Sequence, residues 1–288
     1  MPTLSRHQVR ASAIICFLFF VGAVAPSQEQ PPEKPYQEVF YPSGKLRIQA
    51  HLYKPEGKGP FPVVIYNHGS RAGRERTPAP FLYMGKMLTA RGYVVLVPER
   101  RGYGLSDGPS FSDAVGEDRG ARFVTRMQEE TGDVLAALQI LKTFSFVDED
   151  RVGVMGWSLG GIVTVFAASR SGVFRVAVDQ AGAALTWDSS PAIQKALKLA
   201  AASIRVPLLA MDADNDRTTD AVKAIVKELE KHNVPAKLII YPAYLPPEPT
   251  GGIAPGHLIF AAPGAHIWQA DLEQFLAQHL GRGPAPCE

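Results

Sequence analysis

Arg151-Val152-Gly153-Val154-Met155-Gly156-Trp157-Ser158-Leu159-Gly160-Gly161 is the stretch whose reading decides the fold. Residues 152–155 form a short run carrying β-branched Val. The chain then breaks into Gly-Trp-Ser-Leu-Gly, and a helix-compatible segment, residues 162–169, follows at once. Strand, Gly-x-Ser-x-Gly and helix in that order is the pattern of a nucleophile elbow. The turn forces its central residue into a strained conformation, so the positions two before and two after must be small. Gly156 and Gly160 supply that space, and Gly161 lets the helix approach the sheet closely. Ser158 is thereby presented at a helix N-terminus, where the dipole favours negative charge.

Working outward, buried-type strands and helices alternate along the chain. Residues 38–41 and 46–53 read as an opening hairpin around Pro42-Ser43-Gly44. Residues 63–66 are a continuous apolar run, as expected of a parallel strand covered on both faces. Further strands are expected at 93–97, 174–178, 206–211 and 237–241. Helices are expected up to Ala90, over 116–144 with Gly132 as a weak point, over 218–232 and over 268–280. This order predicts an α/β fold: a mostly parallel central sheet of about eight strands with helices on both faces and right-handed crossovers. Active sites of such sheets lie at the carboxyl ends of the strands. Residues 183–203, rich in Ala and Leu and containing Trp187, read as a small helical lid over an apolar pocket.

The N-terminus is of another kind. Arg6, His7 and Arg10 precede a 14-residue apolar run, residues 11–24, with small residues at Ala23 and Ala25. This is the plan of a signal peptide over residues 1–25, with an uncleaved N-terminal membrane anchor as the alternative. Residues 26–36 then read as a linker and residues 37–282 as the folded domain. Export implies a secreted or periplasmic protein. The chain carries 30 basic and 28 acidic residues, and loss of residues 1–25 leaves 28 of each. A near-neutral domain gives no electrostatic footprint for nucleic acid, and a membrane enters only through the N-terminal segment. Cys287 would be the one remaining thiol, which excludes an internal disulfide and a cysteine zinc site. The scattered histidines make no metal set. No Gly-x-Gly-x-x-Gly follows a strand, so no nucleotide cofactor is implied.

Four stretches together resemble the α/β-hydrolase superfamily, and within it the dienelactone hydrolase-like group: Tyr66-Asn67-His68-Gly69-Ser70, Glu99-Arg100-Arg101-Gly102-Tyr103-Gly104-Leu105-Ser106, Gly156-Trp157-Ser158-Leu159-Gly160-Gly161 and Asp212-Ala213-Asp214-Asn215-Asp216. Ser158 stands where the group's namesake enzymes carry a cysteine. The resemblance implies a carboxylic ester hydrolase with a small-molecule ester substrate, Ser158 as nucleophile, and an acid followed by a histidine further along the chain. Asp216 matches the acid position and sits just before the next helix; Asp214 is its main rival, and Asp212 lies in the same stretch. Of the seven histidines, two fall in the last loop, His257 and His266. His257, after the glycine-rich tip, is the preferred base. The backbone N–H groups of Ser70 and Leu159 are the expected oxyanion donors. Residues 100–104 are expected to serve as structural support near the acyl site. A serine peptidase or thioesterase would use the same residues, and a non-catalytic envelope-associated binding protein could retain the scaffold.

Overall fold

The computed structural model describes residues 34–283. The expected signal peptide, most of the linker and Cys287 lie outside these residues. Within them the elements run β1 (Gln37–Ser43), β2 (Leu46–Tyr53), β3 (Phe61–Asn67), α1 (Leu82–Thr89), β4 (Val94–Glu99), α2 (Phe111–Val115), α3 (Ala121–Leu141), β5 (Val147–Trp157) and α4 (Leu159–Arg170). They continue with β6 (Phe174–Gln180), α5 (Pro191–Ala201), β7 (Leu208–Ala213), α6 (Asp220–Lys231), β8 (Ala236–Tyr241), two short 3₁₀ turns (Pro255–Phe260 and Ala262–Gly264) and α7 (Ala265–His279).

The eight strands form one sheet in the order β1-β2-β4-β3-β5-β6-β7-β8. The β1/β2 and β2/β4 pairs are antiparallel, and every pair from β4 onward is parallel. All seven residues of β3 and all six of β4 and β7 are buried, which explains their unbroken apolar runs. One face is covered by the core that includes Phe123, Val134, Ile162, Phe166, Leu197 and Ile225, from α3 to α6. The other is covered by Met84, Leu88, Trp268, Leu272 and Leu276, from α1 and α7.

Three sequence expectations are refined. The long helix expected over 116–144 begins only at Ala121, because Gly116 has φ 56° and serves as the end of the separate short helix α2. Once begun, it passes through Gly132 without interruption. The stretch 183–203 divides in two. Its helix, α5, is the crossover from β6 to β7 and packs against α4 and α6, so it is not a lid. Only the turns before it, beginning at Ala183, border the site. The Ala- and Leu-rich run that suggested a lid is largely α5, which buries Ile193, Leu197 and Ala201. Finally, β7 extends to Ala213, which makes Asp212 a strand residue and not a loop residue.

Charged groups brace the carboxyl end of β4. Glu130, in α3, is fully buried and accepts from Arg100 Nε at 2.7 Å and from Arg126 Nε at 2.8 Å. Arg100 also donates to the His68 carbonyl at 2.9 Å, so the ion cluster reaches the loop after β3. Arg101 pairs with the buried Asp133, whose Oδ1 also accepts from Ser43. These contacts give residues 100–101 the supporting place expected of them. Removing Glu130 would leave two buried guanidinium groups facing each other uncompensated. Glu130→Ala should therefore cost about 3–5 kcal/mol and lower the melting temperature by roughly 6–20 °C. A thermal melt within 2 °C of wild type would contradict this reading.

Candidate active site

The elbow owes its shape to the absence of side chains. Ser158 lies between β5 and α4 with φ 60° and ψ −118°, a conformation L-residues seldom adopt. A Cβ on Gly160 would sit 1.9 Å from the Asn67 carbonyl oxygen, and one on Gly156 2.4 Å from that of Gly160. Any larger residue at either position would push β5, α4 and the end of β3 apart. The strained turn is pinned by Ser158 N–H donating to the Gln180 carbonyl of β6 at 2.9 Å. Asn67 Nδ2 donates to Thr164 Oγ1 and ties β3 to α4.

Ser158, His257 and Asp216 come together from three segments far apart in sequence. Ser158 Oγ lies 2.9 Å from His257 Nε2, and His257 Nδ1 lies 2.7 Å from Asp216 Oδ2. His257 is buried in the 3₁₀ turn Pro255–Phe260, and Asp216 is buried beyond β7. Asp216 Oδ1 accepts the Arg217 N–H at 2.6 Å. The two loops are held in register by backbone contacts. Asn215 exchanges hydrogen bonds of 2.8 Å with the backbone of Tyr244, and the Gly256 N–H donates to the Asn215 carbonyl. Gly256 has no room for a Cβ, which would fall 2.4 Å from the Asp216 nitrogen. The glycine before the histidine is thus a packing requirement of the acid loop.

The rival residues lie elsewhere. Asp214 is exposed, with its N–H donating to the Tyr241 carbonyl. His266 is at the start of α7, its Nδ1 donating to the Pro263 carbonyl. Asp212 is fully buried and its Oδ1 accepts the Ala213 N–H. His68 is fully buried, donates from Nδ1 to the Gly69 carbonyl and stacks on Phe81. Burial, then the charges of Arg100 and Arg71, hold its imidazole well below the usual histidine range, so it is neutral.

Ser158 opens onto a cavity of about 250 Å³ bordered by Ser70, Phe111, Phe123, Leu159, Leu185 and Arg119. Gly69 passes so close that a Cβ on it would lie 3.1 Å from Ser158 Cβ. The N–H groups of Ser70 and Leu159 donate to no other group among the described residues. A larger cleft of about 660 Å³, lined by Lys54, Lys86 and Arg282 among others, holds none of these three residues. It lies beside Gly92, at the amino end of β4, away from the end of the sheet where such folds do chemistry. Among the described residues no cluster of histidine, cysteine and carboxylate side chains is arranged to hold a metal.

Two features had no signal in the sequence. Trp157 Nε1 donates to the His257 carbonyl at 3.0 Å, so the elbow itself holds the histidine loop in place. Phe111 and Phe123 reach the pocket from α2 and α3, whose hydrophobic residues otherwise read as ordinary core.

With this geometry in view, the relatives are informative. The model of the dienelactone hydrolase family matches residues 48–248, well over half of the chain. The chain belongs to the dienelactone hydrolase family. That family and the eight-stranded sheet place it in the α/β-hydrolase superfamily, with the fold expected there. It is 34% identical over 143 residues to dipeptidyl peptidase 8 of Mus musculus, a match covering 47% of this chain and only 15% of that protein. It is 24% identical over 207 residues to Protein usf of Aquifex pyrophilus, covering 71% of this chain and 83% of that one. Among solved structures, the acylaminoacyl peptidase of Pyrococcus horikoshii aligns with TM-score 0.66 at 18% identity, over 89% of this chain and 44% of that one. An esterase of Pyrococcus furiosus aligns with TM-score 0.60 at 18% identity, over 85% and 92% of the two chains. The chain thus spans a minor part of the peptidases it matches, and most of the esterase.

The family member's site has an acid in an unusual setting. Asp179, at the end of β6, is fully buried, and its Oδ1 accepts the Gly182 N–H at 2.9 Å. Burial pushes its carboxyl up to about 7. Between the ordinary aspartate value near 3.8 and about 7, the folded protein keeps a proton that the unfolded chain has lost. The stabilisation is full below that ordinary value and is lost as pH rises toward 7. Asp179→Asn keeps the acceptor for Gly182 and removes the titration. Relative to wild type, its melting temperature should be higher at pH 8 than at pH 5 by on the order of 5 °C. An equal offset at both pH values would show that Asp179 does not titrate with folding.

Proposed function

We propose that the protein hydrolyses carboxylic esters through an acyl-enzyme on Ser158, with His257 as general base and acid and Asp216 as its orienting carboxylate. The observation that carries this reading is the hydrogen-bonded chain Asp216–His257–Ser158, at 2.7 and 2.9 Å, opening on a small pocket with phenylalanine and leucine walls. His257 Nε2 takes the Ser158 proton as Oγ attacks the acyl carbon, and returns it to the departing alkoxide. Water then attacks the acyl-enzyme, giving up a proton to the same nitrogen, and Ser158 leaves with it. Asp216 fixes the tautomer with the proton on Nδ1 and stabilises the imidazolium. The free N–H groups of Ser70 and Leu159 are the donors available to the oxyanion.

A cavity of about 250 Å³ suits a short to medium acyl group, and its lining favours an apolar one. Ester hydrolysis is preferred over peptide cleavage because the cavity at Ser158 is small and walled by Phe111, Phe123 and Leu185. Nitrophenyl esters of graded acyl length test the reading directly. Ser158→Ala should lose a thousandfold or more in kcat while melting like wild type. Asp216→Asn should also be severely impaired, by stabilising the wrong tautomer, and Asp214→Asn should not be. Near-normal turnover by Ser158→Ala would overturn the proposal.

A further inference from the structure

Behind Asp216 the sheet carries two further acids, and strand alternation decides where they point. Leu208 and Ala210 of β7 face the α3–α6 core, whereas Leu209, Met211 and Ala213 face the α1/α7 core. Asp212 therefore belongs to the first face. Asp179 pairs in register with Ala210 and lies on that same face, one strand over. Both acids are fully buried. Asp212 Oδ1 accepts the Ala213 N–H at 2.8 Å, and its Oδ2 receives no N–H or O–H from any described residue. The tight turn after β7, closed by Asp216 N–H donating to the Ala213 carbonyl at 3.0 Å, brings Asp216 back over the strand end. Asp212 and Asp216 are in hydrogen-bonding reach of one another.

Two carboxyl groups in such contact cannot both be ionised unless a cation lies between them. The ionisable groups around the pair are Asp179 from β6, Arg217 from the loop after β7, and His257 from the 3₁₀ turn. Arg217 offers Asp216 its backbone N–H, and its side chain forms no ion pair with either acid among the described residues. His257 is already committed to Asp216 Oδ2. One proton must therefore be shared, and the two sites are unequal. Asp216 has two N–H donors, which favour its anion, and Asp212 has one and an oxygen with none. Burial, then the Asp216 charge and the bond to it, hold the Asp212 carboxyl far above the usual aspartate range.

We propose that Asp212 is a positioning residue that carries the proton and donates it as a hydrogen bond to the Asp216 carboxylate. The carboxylate that orients His257 is then itself oriented from behind by a neutral acid. No proton is transferred in this role: the O–H of Asp212 stays with Asp212 throughout, and Asp216 stays an anion opposite the imidazolium. The inference rests on the serine-hydrolase reading above for its kinetic consequence, though not for the protonation itself.

Asp212→Asn retains both bonds, since its Nδ2 donates to Asp216 and its Oδ1 still accepts from Ala213. Asp212→Leu keeps the size and loses the donor. Infrared difference spectra of wild type against Asp212→Asn at pH 7 should show the loss of one protonated-carboxyl stretch; its absence would overturn the proposal without reference to any substrate. In kinetics with a nitrophenyl ester, Asp212→Asn should stay within about threefold of wild type. Asp212→Leu should lose roughly ten- to a hundredfold in kcat with little change in KM. The low-field proton resonance between His257 and Asp216 should persist in Asp212→Asn and move in Asp212→Leu. Equal damage in both variants, or a Leu variant with wild-type kcat and resonance, would also overturn it. Should Asp212→Leu not fold, the infrared band and the resonance in Asp212→Asn still decide the matter. Should Ser158→Ala retain turnover, the hydrolase reading fails while the infrared result stands on its own.

Discussion

The constraint on which the rest of this structure depends is the backbone of one residue. Ser158 is held at φ 60° because β5 must end and α4 must begin within a single step, in the middle of the sheet. A strained residue of this kind costs on the order of 1–3 kcal/mol and persists only where its surroundings over-determine it. Here they do. Gly156 and Gly160 allow β5 and α4 to close against Asn67, the Ser158 N–H is fixed to β6, and α4 is buried along nearly its whole length. The core of the sheet thus sustains a geometry that the turn alone would not adopt.

Around this turn, electrostatic support is divided by sign. On the β4 side, buried Arg100 and Arg126 are matched by Glu130 and partly exposed Arg101 by Asp133, and the Arg100 contact with the His68 carbonyl extends that rigidity to the Gly69–Ser70 loop. On the β6–β7 side Asp179 and Asp212 pair with no cation among the described residues, and burial pushes both carboxyls well above the usual range. Asp216 differs from them in its two N–H donors, one of them on His257. The site therefore presents one carboxylate to the imidazole from a group of three acids, a selection made by hydrogen bonding and not by residue type.

Much of this was legible in the sequence where local physics is strict. The Gly-x-Ser-x-Gly stretch between a strand and a helix required the elbow, and the buried runs at residues 63–66 and 93–97 required central strands. Strand–helix alternation required the parallel sheet. His257 was separable from His266 because the glycine-rich tip precedes it, and the structure places it, and not His266, against Ser158. The rest depends on the third dimension. The apolar face of α5 looks the same whether it covers a pocket or a sheet, and only its position between β6 and β7 makes it a crossover. Asp212 read as one of three acids in a loop, because the strand's end falls two residues later than its apolar run suggests. The Trp157 bond to the His257 carbonyl joins residues 100 positions apart and leaves no local trace.

The central claim is that Ser158 becomes covalently acylated. Acid quenching of the enzyme within the first turnovers of a nitrophenyl butyrate reaction, followed by peptide mass spectrometry, tests it most directly. The account predicts a butyryl increment on the peptide containing Ser158, absent from Ser158→Ala and discharged from wild type as turnover proceeds. Ester hydrolysis at full rate with no acyl adduct on that peptide, or with the adduct on another residue, would contradict it.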